Sequence, residues 1–147
     1  MIQRIQTLYL LISAILVAFL FALPFAEIVK DGSIYLFNFK GILLDGTLKE
    51  NGLAISVLIG IILALHGLAI LSYKNRIRQI RVIVFSILLM LGLFGMFFFF
   101  TYYTFSGAQI SFKLSMVFPL VAIILDYLAI RSIGKDEALI RSIDRIR

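Results

Sequence analysis

Residues 53–73, LAISVLIGIILALHGLAILSY, and 82–103, VIVFSILLMLGLFGMFFFFTYY, contain no Asp, Glu, Lys or Arg. A helix rises about 1.5 Å per residue, so each run is long enough to cross roughly 30 Å of hydrocarbon. Two more runs of this kind, Thr7–Ala26 and Phe112–Ile130, make four, and Asp126 is the one acid inside the last. The chain of 147 residues is 62% hydrophobic and 15% charged, with a mean hydropathy of +1.08. Soluble domains carry about 25% charged residues, and one this small could not bury so much apolar surface. The expected fold is therefore an all-α membrane protein, a four-transmembrane-helix bundle forming a single domain over 1–147. Lipid is its first partner. The opening apolar run exceeds the roughly 7–15 residues of a signal core and no A-x-A site follows, so it is expected to be a retained helix.

Several function classes fall away at once. There is no Cys, and a single His cannot form the multi-histidine clusters that hold metals, so no metal and no cofactor is expected. The net charge of +6 does not imply nucleic acid, because the basic residues flank apolar spans. Lys and Arg in that position orient the chain and meet anionic lipid.

Counting them gives the orientation. Arg4, Lys74, Arg76, Arg78, Arg81, Arg131, Lys135, Arg141, Arg145 and Arg147 fall on one side, against Lys30, Lys40, Lys49 and Lys113 on the other. The rule that cytoplasmic loops are the more basic places both termini in the cytoplasm, in keeping with an even number of spans.

The first outer loop, about 27–51, holds two Asp-Gly steps. Asp31-Gly32 joins AEIVK to SIYLF, a two-residue hairpin signal that would pair Lys30 with Ser33, Val29 with Ile34 and Ile28 with Tyr35. Asp45-Gly46 would turn GILL back onto TLKE, and Ser106-Gly107 gives a weaker hairpin signal between TYYTF and AQISF. A small outer β-structure drawn from both outer loops is expected. It could serve as a docking surface, since exposed strand edges accept further strands, or simply cap the loop's own backbone. Met96–Phe100 with Tyr102 and Tyr103 reads as an aromatic belt at the outer interface.

Asp126 is the residue most able to carry chemistry. A carboxylate in a span costs roughly 2.5–3.5 kcal/mol on insertion scales and so faces protein or water. Arg131, five residues on, lies about 140° around the helix and is badly placed to pair with it. Better partners are His66 and the guanidinium groups of Arg76, Arg78 and Arg81. Asp126 is read first as a polar pin between helices, with a proton or ion relay through His66 as the alternative. No second acid, paired histidine or Ser-x-x-Lys set accompanies them, so no catalytic set can be assembled and no enzyme is expected.

Small residues mark two spans: Ser56, Gly60, Ala64 and Gly67 on the second, Gly92 and Gly95 on the third. Such stripes let helices approach closely in lipid, and packing within the bundle is the reading preferred over dimerisation. Pro119, placed inside the fourth run, is expected to kink it near Ser115. After Gly134 the chain reads as a separate amphipathic interfacial helix over about 135–147. Leu139, Ile140, Ile143 and Ile146 form its apolar face, and Glu137 and Arg141 are spaced to pair. Arg76, Arg78, Arg81, Arg131, Arg141 and Arg145 are the expected contacts to anionic lipid or to a partner. MIQRIQ repeats the amphipathic pattern in shorter form at the other terminus.

The segments MIQRIQTLYLL, YKNRIRQIR and LDYLAIRSIGKDEALIRSIDRIR resemble a Bacteroidota membrane family catalogued as domain of unknown function 4293. The resemblance covers essentially the whole chain. It implies an inner membrane with periplasmic outer loops, and it implies no activity and no site residues. The function expected from the sequence is that of a non-enzymatic accessory or scaffold subunit of a larger membrane complex. A small transporter or proton-coupled channel using Asp126 and His66 is the alternative.

Overall fold

The computed structural model describes the backbone of residues 3–144 and the side chains of residues 5–138. Helix α1 runs Gln3–Ala18 and tightens into a 3₁₀ turn at Phe19–Phe21. Four strands follow: β1 Ala26–Lys30, β2 Ser33–Asn38, β3 Gly41–Leu44 and β4 Thr47–Asn51. Helix α2 spans Leu53–Leu71 and α3 Arg76–Phe98, which continues as a wider π turn to Tyr103. Strand β5, Gln109–Phe112, and a 3₁₀ turn at Leu114–Val117 lead into α4, Phe118–Asp144. The class is mixed α and β, not all-α.

Buried positions recur at alternating steps of three and four on every helix. They are 6, 10, 13 and 17 on α1 with 20 on the 3₁₀ turn that follows, then 55, 59, 62, 66 and 69 on α2. On α3 they are 79, 83, 86, 90, 93 and 97, and on α4 119, 122, 126, 129, 133 and 136. A 3.5-residue spacing keeps one seam facing its partners and is the signature of left-handed bundles. The helices form a ring in which α1 packs on α2 and α4, and α3 on α2 and α4. The remaining faces are apolar and exposed, as lipid requires. Three helical stretches, Leu53–Leu71, Arg76–Tyr103 and Leu114–Ala138, are long and apolar enough to cross a membrane, and Ile5–Phe21 is a shorter apolar helix. The chain is a multi-pass membrane protein.

The same spacing explains two departures from the sequence reading. The tail is not a separate interfacial helix, because the stripe continues past Gly134 to Asp136 and keeps α4 in one piece to Asp144. Pro119 is the second residue of α4, where a missing backbone N–H costs nothing, so it starts the helix instead of kinking it. Helix α3 likewise begins at Arg76, six residues before the expected position. Asn75 caps it, its side chain accepting from the backbone N–H of Arg78 at 3.2 Å. Arg76, Arg78 and Arg81 are thus helical residues, not loop residues.

At the other end lies one antiparallel sheet of order β4-β3-β2-β1-β5. The Asp31-Gly32 hairpin has the expected register, Ile28 opposite Tyr35, Val29 opposite Ile34 and Lys30 opposite Ser33. Asp45-Gly46 closes the second hairpin, Leu44 opposite Thr47. Both turns hold two residues at positive φ, from 49° to 77°, as a type I′ turn requires. The second outer loop joins the sheet through β5 alone. TYYTF stays helical or turns, so the expected third hairpin does not form, and AQISF pairs its Gln109–Phe112 with β1 instead.

Alternation decides the sheet's faces. Ala26, Ile28, Phe37 and Ile42 point onto the bundle and are buried with Phe25, Ile55, Leu93 and Phe97 in one continuous core. The Phe25 ring meets Phe97 at 4.6 Å and Phe37 at 5.3 Å between centroids. Each such ring contributes about 1.5–3 kcal/mol by burial, which lifts the sheet above the marginal stability of an isolated hairpin. The aromatic run is therefore divided. Phe97 is core, while Phe98, Phe99, Tyr102 and Tyr103 stay exposed and stack on one another.

Candidate functional site

A polar cluster sits at the centre of the bundle and draws one side chain from each helix. Ser13 of α1, His66 of α2, Ser86 of α3 and Asp126 of α4 are all fully buried. They occupy stripe positions that would otherwise hold apolar residues, so the heptad spacing itself aims them at one another. His66 Nε2 lies 3.2 Å from Asp126 Oδ1 and 2.8 Å from Ser13 Oγ. His66 Nδ1 lies 2.9 Å from the Ile62 carbonyl and 3.3 Å from Ser86 Oγ. Ser13 also donates to the Ala122 carbonyl, at 3.3 Å.

Donor and acceptor bookkeeping constrains the protons. A carbonyl only accepts, so Nδ1 carries a hydrogen and donates to Ile62. A proton held between Nε2 and Oδ1 would leave the His66–Asp126 pair neutral overall, which is the condition under which two ionisable groups are tolerated in lipid. Asp126 Oδ2 is buried and makes no hydrogen bond among the described residues.

Towards the sheet the cluster is sealed by Val17, Ile62, Met90 and Ala122, and away from it by Leu10, Ala69, Ile83 and Ala129. Below that second apolar layer comes another polar one. Gln6, Ser72, Gln79 and Asp136 are buried there, and Gln6 donates through Nε2 to Asp136 Oδ2 at 2.5 Å. This bond ties the first turn of α1 to α4, and the described part of MIQRIQ, from Gln3, belongs to α1.

The sequence brings together only part of this. His66 and Asp126 meet, but Arg76, Arg78 and Arg81 do not reach Asp126. Arg76 instead lies 3.9 Å from Glu137, and Arg78, Arg81 and Arg131 are exposed. The side chain of Arg141, the residue Arg145 and the expected face of Leu139, Ile140, Ile143 and Ile146 lie outside what is described. Ser13 and Ser86 carry no individual signal; only the three-four spacing around them marks them as inward.

The glycine stripes are not helix contacts within this bundle. Gly60, Ala64, Gly67, Gly92 and Gly95 all face outward, and a Cβ on any of the four glycines would meet no atom within 4 Å. The buried seams instead hold Ile, Leu and Met, whose volume sets the helix separation. Among the described residues no group of three or more His, Cys, Asp or Glu could hold a metal ion.

These features define a multi-pass membrane protein, with a helical bundle pinned through its centre and an antiparallel sheet over one end. The chain belongs to the family described as domain of unknown function (DUF4293), matched over residues 2–146. No curated protein and no solved structure matches it.

Proposed function

We propose that this is a non-enzymatic inner-membrane protein, an accessory or scaffold subunit that presents its sheet to another membrane protein. The observation that carries the reading is the face of the sheet turned away from the bundle. Val29 pairs with Ile34, and Leu36, Leu43 and Leu48 line up across β2, β3 and β4. Ile34 is 62% exposed and Leu48 53%, outside any apolar span. A contiguous aliphatic row of this kind marks a protein contact, and β4 beside it is an open edge able to accept a further strand. Ile5–Phe21 would serve as a fourth span of about 17 residues, the lower limit for crossing. The excess of Lys and Arg at the opposite end supports cytoplasmic termini and a periplasmic sheet.

The test is purification in a gentle detergent at native expression, with Ile34→Asp/Leu48→Asp beside the unaltered protein. A partner retained by the unaltered protein and lost by the variant, with both monodisperse, is the expected result. Recovery of the monomer alone from both would defeat the reading.

The unpaired Oδ2 of Asp126 favours a second reading, a small proton- or ion-coupled transporter. Against it stand the apolar layers on both sides of the cluster. Neither of two surface cavities, at the α1–α4 groove and beside Lys113, is lined by Asp126 or His66. Proton or sodium uptake into liposomes, abolished by Asp126→Asn without loss of expression, would establish transport.

A further inference from the structure

We propose that the groove between α1 and α4, at the end of the bundle away from the sheet, is a binding site for one anionic phospholipid headgroup. The inference rests on the chain being a membrane protein and not on the scaffold reading. Ile5, Tyr9, Leu128, Arg131, Ser132 and Lys135 line a cavity of about 290 Å³. Ligand pockets begin at roughly 300 Å³. This volume suits a phosphodiester headgroup whose acyl chains remain in the bilayer.

The lining is ordered as a lipid would need. Ile5 and Tyr9 lie one turn apart on α1, and Leu128, Arg131, Ser132 and Lys135 cover two turns of α4. Leu128 is nearest the middle of the span, Lys135 nearest its end. Arg131 and Lys135 begin about 7 Å beyond Asp126 along the helix, at the depth where long basic side chains reach the interface. Arg131 can bind a phosphate through two N–H groups at once, Lys135 supplies a point charge, and Tyr9 and Ser132 carry hydroxyls.

The nearby acids are already engaged elsewhere. Asp136 is turned inward to Gln6, and Glu137 lies towards Arg76 of α3. Among the described residues, neither Arg131 nor Lys135 forms an ion pair. Two like charges one helical turn apart repel, and a bound phosphate removes that repulsion. A lipid seated here would also bridge the first turns of α1 to α4, beside the Gln6–Asp136 bond.

Native mass spectrometry of the full chain from mild detergent tests this, with phosphatidylglycerol, phosphatidylethanolamine and inorganic phosphate as probes. One retained phosphatidylglycerol is expected, with phosphatidylethanolamine, whose phosphate is the same but whose ammonium group is repelled by Arg131 and Lys135, bound at least about tenfold more weakly. Arg131→Gln/Lys135→Gln is expected to lower phosphatidylglycerol retention by about tenfold or more. Lys40→Gln/Lys49→Gln, which removes equal charge at the sheet end, is expected to leave it unchanged. Equal loss in both double variants would mean diffuse attraction and overturn the site. Displacement of the lipid by millimolar inorganic phosphate would overturn the lipid as ligand. Tyr9→Phe/Ser132→Ala keeps charge and shape, so it decides the matter if the first variant misfolds. A several-fold loss of retention supports the site, and no change refutes it.

Discussion

His66 and Asp126 meet across the diagonal of the bundle, Nε2 to Oδ1 at 3.2 Å, although α2 and α4 are not neighbours in the ring. Ser13 and Ser86, on the two helices between them, both touch the same imidazole. A residue that binds all three other helices fixes their rotation about their own axes, which apolar packing in lipid specifies weakly. The cluster acts on helix register more than on total stability.

Replacing Asp126 separates those effects. Asp126→Asn keeps an acceptor beside His66 and is expected to change unfolding free energy by no more than about 1 kcal/mol. Asp126→Ala leaves a void and an unsatisfied imidazole and should cost about 1–3 kcal/mol. A double-mutant cycle of Ser13→Ala with His66→Ala should give a coupling near 0.6 kcal/mol and below about 1.7 kcal/mol, the range for hydrogen bonds between membrane helices. Reversible unfolding in mixed detergent micelles reads all three. A loss for Asp126→Asn as large as for Asp126→Ala would show that the cluster depends on the carboxylate itself.

The outward glycines predict the opposite sign. Gly60→Ala and Gly92→Ala add a methyl group where no atom lies within 4 Å, in the middle of helices. Each should leave stability unchanged or raise it by up to about 1 kcal/mol, through helix propensity and a less flexible unfolded chain. Thermal melting of the detergent-solubilised protein is the measurement. A clear fall for either variant would mean that these faces contact another helix after all.

The sheet was legible in the sequence to the residue at Asp31-Gly32, where a two-residue turn with both central residues at positive φ set the register. Asp45-Gly46 marked the second turn but not its whole register, because a bulge between Ile42 and Leu43 sets Ile42 opposite Glu50. The contribution of β5 was harder to see, since its partner β1 lies some 80 residues earlier and Ser106-Gly107 suggested a local hairpin instead. Hydropathy located three of the helices within a few residues at their sheet ends. It misplaced the other ends of α3 and α4, where Arg76 and Lys135 sit on helices that project beyond the apolar stretch, whereas α2 ends within two residues of the expected Tyr73. The central pair was found from its chemistry alone. Its serines were not, because Ser is ordinary anywhere on a membrane helix until the spacing shows which face is inside.

Gly41 makes the strictest demand on the sheet. It has φ +125°, and an added Cβ would collide with the Glu50 carbonyl and lie 2.5 Å from the backbone nitrogen of Gly52. Gly46 has φ +77° with open space around it. Gly46→Ala should cost about 1–2 kcal/mol from its left-handed backbone alone. Gly41→Ala should cost more than that and unpair β4 from β3. Amide exchange confined to residues 41–51 would report this, with α2 and α3 still protected. Equal exchange in the two variants would contradict the close approach at Gly41.

The continuity of α4 through Gly134 is the last point open to direct test. A hinge between a span and an interfacial helix would tolerate proline at position 134, because no hydrogen bond would cross it. A continuous helix would not, since proline removes a bond, clashes with the preceding turn and costs about 3 kcal/mol. Gly134→Pro is therefore expected to free residues 135–138 and to release Gln6 from Asp136 and Arg76 from Glu137. Gly134→Ala, with no atom near its new methyl group, should strengthen the same stretch by up to about 1 kcal/mol. Amide exchange at residues 133–144 and at the first turn of α1 distinguishes the two structures. Faster exchange in both places for the proline variant, and slower exchange for alanine, is the outcome of one unbroken helix. Unchanged protection at Gln6 in Gly134→Pro would mean that α1 does not depend on the far end of α4.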